Sequence, residues 1–247
     1  MTGRTYLVIG AGSAIGSCVA RRLAADGQAL VLAARDRSQI EALAGDVGGL
    51  VVQADATSFE DVERCAREAI SLTGRLDGVL NCAGSIFLKP AHLTNADELS
   101  QVISTNLVSA FATVRAAALV MRQSGGSIVL ISSAAAQIGL PNHEAIAAAK
   151  AGVIGLMRSA AATYASSGIR VNAVAPGLVD SPLSRSITSN DAALKASIAM
   201  HPLGRIGTPE DIANAIHWLI GPDSAWVTGQ VIGVDGGLAG VRGRVRQ

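Results

Sequence analysis

The chain has 247 residues, of which 49% are hydrophobic and only 3% aromatic, and its formal net charge is +1. This length is sufficient for one large α/β core, so composition does not require a second domain. The near-zero charge gives no electrostatic reason to bind nucleic acid or an anionic membrane, and neither is expected as a partner.

The cysteines and the first residues bear on the compartment. Cys18, Cys65 and Cys82 are widely spaced and form no Cys-x-x-Cys pattern, which favours a reducing compartment. The first residues resemble a secretion signal. The glycines at 10, 12 and 16, and the need for a first strand in the α/β pattern described below, argue against one. No apolar run approaches the roughly 18 residues of a membrane span. We therefore expect a cytoplasmic protein.

Short β-branched runs alternate with longer amphipathic or alanine-rich segments. The predicted strands are 5–9, 28–34, 49–53, 77–81, 127–132, 169–174 and 230–234. The predicted helices are 15–26, 37–45, 58–73, 98–123, 143–167 and 209–220. This alternation predicts an α/β fold, a doubly wound parallel sheet of seven strands with helices on both faces, as one domain over residues 1–247. Residues 180–205 break the rhythm and predict a flap over the ligand crevice, and the tail from Arg242 to Arg246 predicts a solvated end.

A glycine-rich turn follows the first strand and leads into a helix. Backbone amides and a helix N-terminus at such a turn can meet a pyrophosphate. We therefore predict a Rossmann-type dinucleotide site with contacts from Gly10, Gly12, Ser13, Ile15 and Gly16. Taken alone, glycines at a strand end are also found in plain turns.

The spacing of one serine, one lysine and one asparagine is informative about function. Ser133 is followed by Ile146 thirteen residues later and by Lys150 four residues after that, and Asn106 lies upstream. This spacing resembles the short-chain dehydrogenase/reductase family, classical type and 3-oxoacyl reductase-like, which has a serine, a Tyr-x-x-x-Lys and an upstream asparagine. The resemblance implies a catalytic role for Ser133, Lys150 and Asn106, with Ile146 in place of the tyrosine that protonates the substrate.

Further segments resemble the same family over about residues 5–238. Gln53-Ala54-Asp55-Ala56 is similar to its adenine-contacting loop, Asn81-Cys82-Ala83-Gly84 to its Asn-Asn-Ala-Gly, and residues 169–181 to the segment that embraces the nicotinamide. The cofactor contacts that this implies are Asp55, Ala56, Asn81, Ala83, Gly84, Lys150, Pro176, Gly177, Val179 and Ser181. Ile9 and Ala14 depart from the family's glycine motif. The resemblance also implies a homo-oligomer, a dimer or tetramer.

The end of the second strand bears on which dinucleotide binds. An acidic residue there holds the ribose of NAD, and a basic residue holds the 2′-phosphate of NADP. By resemblance, Arg35 occupies the basic position, and its guanidinium suits a phosphate. We therefore predict NADP. NAD stays possible, because Ser13 brings no basic side chain and Asp36 could face the ribose. The alternative for Arg35 is a solvated residue at a helix start.

The two tyrosines lie too far away to replace the missing acid. Tyr164 lies fourteen residues beyond Lys150, which is about 21 Å along a continuous helix. Tyr6 lies four residues before Gly10, about 13 Å down the first strand from its functional end. Neither is predicted to reach the substrate.

His143 is the remaining candidate for proton transfer. It precedes Ile146 by three residues and Lys150 by seven, which places all three on one helix face. If Asn142 caps this helix, the dipole disfavours imidazolium, although a neutral imidazole can still donate a hydrogen bond. The alternative is a loop histidine that contacts substrate or solvent without proton transfer.

These residues predict an atypical oxidoreductase that transfers hydride between NADP(H) and a small carbonyl, alcohol or imine substrate. A general acid contributes about 10²–10⁴-fold, so its loss weakens such an enzyme without abolishing hydride transfer. The alternative is a catalytically silent dinucleotide-binding regulator or partner subunit, in which Ser133 is a strand-end hydroxyl and Lys150 a solvated helix lysine. His92, His201 and His217 show no metal-ligand spacing, and no metal is expected.

Overall fold

The computed structural model describes residues 3–242, which are organised around one sheet. Its strands are β1 (Thr5–Ile9), β2 (Ala29–Ala34), β3 (Leu50–Gln53), β4 (Gly78–Asn81), β5 (Gly126–Ile131), β6 (Ile169–Pro176) and β7 (Val231–Val234). All neighbours pair in parallel, in the order β3-β2-β1-β4-β5-β6-β7. This is the doubly wound Rossmann arrangement, so the predicted fold class is confirmed. The predicted solvated tail lies, apart from Arg242, outside the described residues.

Helices connect the strands. They are α1 (Ala14–Ala25), α2 (Ser38–Val47), α3 (Phe59–Thr73), α4 (Ala96–Ile103), α5 (Ser109–Met121), α6 (Glu144–Tyr164), α7 (Arg185–Thr188), α8 (Asp191–Met200) and α9 (Pro209–Ile220). The predicted helix 98–123 is wrong in one respect, because a π-helical turn over Ser104–Val108 separates α4 from α5. The segment predicted as a flap contains α7 and α8.

Side-chain caps fix where several helices begin. Ser13 Oγ accepts a hydrogen bond from the Gly16 N–H at 3.0 Å and so starts α1 directly after the glycine turn. At the start of α9, Thr208 and Asp211 cap one another's backbone, with Pro209 in the first helical position. Such caps contribute about 1 kcal/mol each. The cap at Ser13 therefore sets the position of the first helix relative to the sheet edge.

The sheet is buried on both faces. Leu7 and Ile9 pack in a cluster with residues of α3, α5 and α6, whereas Tyr6 and Val8 pack on the opposite face with residues of α1, α2 and α9. Alternate side chains of a strand point to opposite faces, so β1 contributes to both layers. This explains why the strands consist of nearly continuous apolar runs.

Two helical segments are long and apolar enough to cross a membrane by length and composition, Ala96–Met121 and Glu144–Ser167. The sequence analysis expected no such run. In the fold, 56% and 50% of their apolar windows are buried against the rest of the chain, as in core helices of globular proteins. The expected absence of a membrane partner stays a prediction.

Candidate active site

The carboxyl ends of the parallel strands open into a cleft of about 1030 Å³. Loops that follow parallel strands meet at this edge, which is where ligands bind in such sheets. The predicted site residues that line the cleft are Gly10, Gly12, Ser13, Ile15, Arg35, Asp55, Ala56, Ala83, Gly84, Ser133, His143, Lys150, Pro176, Gly177, Val179 and Ser181. Gly16, Asn81 and Asn106, also predicted as site residues, are buried behind its surface.

The glycine turn leaves no room for side chains. Gly10 has a φ of 74°, and a Cβ atom there would lie 2.7 Å from the Ala83 nitrogen. A Cβ on Gly16 would lie 2.5 Å from the Gly10 oxygen. The turn after β1 is thus packed directly on the loop after β4, and Gly16 in α1 packs against the backbone of the same turn. A backbone this tightly folded at a helix start is suited to a pyrophosphate.

The loops after β2 and β3 form the other end of the cleft. Asp36 Oδ1 accepts hydrogen bonds from the backbone and hydroxyl of Ser38 at 2.9 and 2.6 Å, which lower the pKa of that carboxyl. Arg35 lines the cleft, and its guanidinium makes no ion pair within residues 3–242. Asp55 Oδ1 accepts hydrogen bonds from the backbone N–H and the hydroxyl of Thr57, both at 2.8 Å. The acidic groups are therefore engaged locally, while Arg35 is open to a ligand.

Two asparagines brace the loop after β4. Asn81 Oδ1 accepts from the Ala83 N–H at 2.8 Å, and its Nδ2 donates to Thr113 at 3.0 Å. Asn106, in the π-helical turn, accepts from the Ser85 N–H at 3.1 Å and donates to the Ser85 hydroxyl at 2.9 Å. Both amides are buried and fix the position of this loop from its side away from the cleft. Ser85, which lines the cleft, was missed by the sequence analysis, because nothing local marks it as the partner of Asn106.

Lys150 is the buried cation of the site. The residue is only 6% exposed, and its Nζ atom donates a hydrogen bond to the Ile131 carbonyl at 2.9 Å. A Cβ placed on Gly84 would lie 3.4 Å from this Nζ and 3.2 Å from Asn106 Oδ1, so the two groups converge on one glycine. Burial lowers the pKa of the Lys150 ammonium to about 8. The alternative of a solvated helix lysine is therefore wrong.

Ser133 and its neighbour join β5 to α6. Ser133 Oγ accepts from the Ala135 N–H at 3.2 Å, and its residue lines the cleft. Ser132 donates its hydroxyl to the Lys150 carbonyl at 2.9 Å. The strand end and the helix that carries Lys150 are thus bound together. A hydroxyl that accepts from the backbone still has its own proton to donate into the cleft.

Ile146 forms a hydrocarbon wall where the family resemblance places a phenol. It lines the cleft, and on its other side it packs in a small cluster with Val102 and Ala149. Tyr6 is 2% exposed and lies in the core between the sheet and helices α1, α2 and α9. Tyr164 is the last residue of α6 and does not line the cleft. No phenol contributes to the cleft within the described part of the chain.

His143 lies at the start of α6, but not as the sequence analysis expected. Asn142 does not cap the helix; it has a φ of 63°, and His143 itself occupies the N-cap position. The His143 Nδ1 atom is 2.7 Å from the Pro141 carbonyl oxygen, so a neutral ring carries its proton on Nδ1. Nε2 is then an acceptor. The neutral ring can take a proton there but has none to give.

His201 lines the cleft as well, although its sequence setting indicated no role. It is 3% exposed, with Nδ1 2.6 Å from the Ser197 carbonyl and Nε2 accepting from the Leu178 N–H at 3.2 Å. A Cβ on Gly177 would lie 2.6 Å from Nε2, so the glycine admits the ring. His201 therefore connects α8 to the segment after β6. These contacts join distant segments and leave no local sequence signal.

We expect His201→Leu to weaken binding of a nicotinamide dinucleotide by about tenfold, because the Leu178 N–H loses its acceptor and the segment after β6 loses its contact with α8. His201→Gln, which offers an amide oxygen as acceptor, should recover most of the affinity. Dissociation constants from fluorescence titration, together with melting temperatures, separate this effect from general destabilisation. If the leucine variant binds like the wild type, His201 does not position the cofactor cleft.

Comparison with known proteins agrees with this geometry. Residues 10–239 match the family model described as enoyl-(acyl carrier protein) reductase. The chain is 34% identical over 245 residues to a tropinone reductase homolog from Arabidopsis thaliana, covering 96% of this chain and 93% of that protein. It is 33% identical over 246 residues to 3-oxoacyl-[acyl-carrier-protein] reductase from Thermotoga maritima, covering 96% and 98%.

A solved structure shares the fold. A short-chain type dehydrogenase/reductase from Mycobacterium ulcerans superposes with a TM-score of 0.92 at 32% identity, covering 97% of this chain and 91% of that chain. The family match, the relatives at more than 30% identity and this superposition all extend over nearly the whole chain. The chain therefore belongs to the classical short-chain dehydrogenase/reductase family, whose named members here are oxidoreductases.

Proposed function

We propose that this chain transfers hydride between NADP(H) and a small carbonyl, alcohol or imine substrate without a tyrosine acid. The observation that carries the proposal is the buried Lys150 ammonium, which lines the same cleft as the glycine turn and Ser133. An unpaired buried cation is costly to a fold. Its retention is explained if it acts on a ligand in the cleft.

The chain's own residues fit a nicotinamide dinucleotide. The tight turn at Gly10 and Gly12 receives the pyrophosphate at the start of α1, and the unpaired Arg35 guanidinium favours a 2′-phosphate over a free hydroxyl. Lys150 holds the nicotinamide ribose, as the family resemblance implies. When bound, the cofactor supplies or takes the hydride. Since Asp36 is engaged with Ser38, NAD is the weaker expectation.

Proton handling follows from the remaining groups. The Ser133 hydroxyl holds the substrate oxygen by donating a hydrogen bond, because its own oxygen already accepts from Ala135. A neutral His143 accepts a proton at Nε2, which suits the proton that an alcohol releases on oxidation. In the direction of reduction, His143 would have to enter as imidazolium and give up its Nε2 proton. We therefore propose alcohol oxidation as the favoured direction.

The experiment measures cofactor binding and turnover separately. Wild type should bind NADPH more tightly than NADH, and Arg35→Ala should remove most of this preference, whereas Asp36→Ala should preserve it. The loss should be on the order of tenfold or more, as for a charge-assisted contact. A preference that survives Arg35→Ala would contradict the assignment of Arg35.

Turnover is then followed by absorbance of the reduced cofactor, with alcohol, carbonyl and imine panels. We expect slow turnover that is faster for alcohols and reduced by His143→Ala. Binding of cofactor without any turnover would support the silent regulator instead. Turnover that His143→Ala leaves unchanged would remove the histidine from the mechanism.

A further inference from the structure

We propose that the substrate is an electrically neutral and largely apolar alcohol or carbonyl compound, and that substrates that bring a carboxylate or phosphate into the cleft are disfavoured. This rests on the proposed function and specifies its substrate. The ionised side chains that line the cleft are Arg35, Asp36 and Asp55 at the ends of β2 and β3, and Lys150 at its floor. All four belong to the part of the cleft assigned to the dinucleotide.

The remaining part of the cleft is defined here as the substrate half. It is lined by residues after β4, from the start of α6 and from the flap, namely Ile86, Leu88, Gln101, Ser104, Thr105, Leu140, Pro141, His143, Ile146, Leu178, Pro182, Leu183, Ile187, Met200, His201 and Leu238. Within the described residues this half contains no carboxylate, ammonium or guanidinium group. A ligand with a formal charge would find no opposite charge there.

Two cations near the flap are already paired. Lys89 Nζ lies 2.7 Å from both carboxylate oxygens of Glu98, and Arg205 forms two hydrogen bonds with Asp211 at 2.6 and 2.9 Å. Neither lines the cleft. Recruiting either one for an anionic substrate would break an existing ion pair. Arg185 and Lys195 of the flap form no ion pair within the described residues, but neither lines the cleft, so the cleft wall itself supplies no counter-ion.

Exposed apolar side chains mark the mouth of the substrate half. Leu88, Leu183 and Met200 are 42%, 55% and 46% exposed, although they come from three separate segments that meet at this cleft. Exposed apolar surface gathered around a concave site is characteristic of a site for apolar ligands. Ile146 extends the same surface inward to the side of Lys150.

Polar groups of the substrate half are mostly used within the protein. Gln101 donates to Thr105 at 3.1 Å, and both nitrogens of His201 are engaged. Three groups are left to meet the ligand: the hydroxyl of Ser104, the hydroxyl of Ser133 at the border with the dinucleotide part, and the Nε2 atom of His143. Ser133 can donate a hydrogen bond to a hydroxyl or carbonyl oxygen, whereas Nε2 of a neutral His143 can only accept one from a hydroxyl. The rest of the ligand meets hydrocarbon, and burying a charge there without a partner is strongly unfavourable.

The test compares two substrates of similar size that differ in charge, 4-methylcyclohexanol and 4-hydroxycyclohexanecarboxylate, with the corresponding ketones in the reverse direction. We expect kcat/KM to favour the neutral member by on the order of 100-fold, the factor that a few kcal/mol of uncompensated desolvation produces. Equal or better use of any anionic compound would overturn the proposal.

Binding keeps this test independent of turnover. Dissociation constants of the neutral and anionic ketones are measured on NADP-saturated protein, and again without cofactor, by ligand-observed NMR. Tighter binding of the neutral ketone without turnover would support the substrate class and contradict only the proposed reaction. Tighter binding of the carboxylate, or no difference between the two, would contradict the substrate class itself.

A gain of charge supplies a matched variant. Leu183→Arg places a guanidinium at the mouth of the substrate half, and the preference for the neutral substrate should fall about two- to fivefold, the factor expected of one exposed ion pair. Leu72→Arg adds the same charge at a 47% exposed position of α3, away from the cleft, and should leave the preference as it is. An equal change in both variants would mean that net charge, and not the cleft, sets the preference.

Discussion

Lys150→Met is expected to be more stable than the wild type at pH 7 and to lose most of its activity. The residue is only 6% exposed, and within residues 3–242 the one hydrogen bond of its ammonium is to the Ile131 carbonyl. Methionine fills similar space without a charge. The loss of activity, on the order of 100-fold or more, follows if Lys150 binds the cofactor and acts near the reacting centre. A gain in stability with a loss of function identifies a residue that the fold retains for function.

The size and pH dependence of the stability gain follow from the pKa of Lys150. The folded chain holds it at about 8, against 10.5 for the exposed group. Between these values the unfolded chain binds more protons, so the contribution of Lys150 to the free energy of unfolding rises with pH across this window. At pH 7 the penalty is about 3 kcal/mol, from which the lost hydrogen bond to Ile131 subtracts about 1 kcal/mol.

Denaturant unfolding of both proteins from pH 7 to 10.5 checks this prediction. Burial raises the pKa values of the Cys65 and Cys82 thiols to about 12, so these groups also change stability at high pH. The difference between wild type and Lys150→Met isolates the lysine, and the advantage of the variant should shrink as pH rises. Lys195→Met, at an exposed position, controls for the loss of one charge. A variant that is destabilised at pH 7 would give Lys150 a structural role.

Ile146→Tyr is expected to raise carbonyl reduction by about 10²–10⁴-fold, the usual contribution of a general acid. The new phenol would project into the cleft from α6, one turn before the Lys150 ammonium, which lowers the cost of ionising a nearby phenol. Ile146 is 6% exposed and packs with Val102 and Ala149, so the larger side chain should cost about 1–3 kcal/mol of stability.

Ile146→Phe is the matched control for this gain. It introduces the same ring and the same packing cost without a hydroxyl, so it should not increase reduction. Steady-state rates with NADPH and a neutral ketone, measured for all three proteins, distinguish the outcomes. Activity in Ile146→Tyr alone, with a wild type that binds cofactor but is inert, would favour the silent regulator. Equal rates in the tyrosine and phenylalanine variants would mean that no acid is missing at this position.

Much of the fold was predictable because its signals are local. The strand predicted at 28–34 is Ala29–Ala34, and the strand predicted at 230–234 is Val231–Val234. Buried parallel strands need continuous apolar runs, and helix caps such as Ser13 need a hydroxyl at one position. The π-helical turn at Ser104–Val108 was not predicted, and within it Asn106 bonds to Ser85, twenty-one residues away in sequence, a contact that no local pattern indicates.

The sequence by itself determined the order of strands and helices, the glycine turn, and the spacing that placed Ser133, Ile146 and Lys150 in one family pattern. The tertiary structure alone decided their chemical states. It buried Lys150 against Ile131, directed the Nδ1 proton of His143 to Pro141, and engaged Asp36 with Ser38. It also gave His201 a role that its neighbours in sequence do not reveal. Protonation and hydrogen bonding depend on which groups lie next to one another and on how much water remains between them. These contacts form only when the sheet, the helices and residues 180–205 pack together.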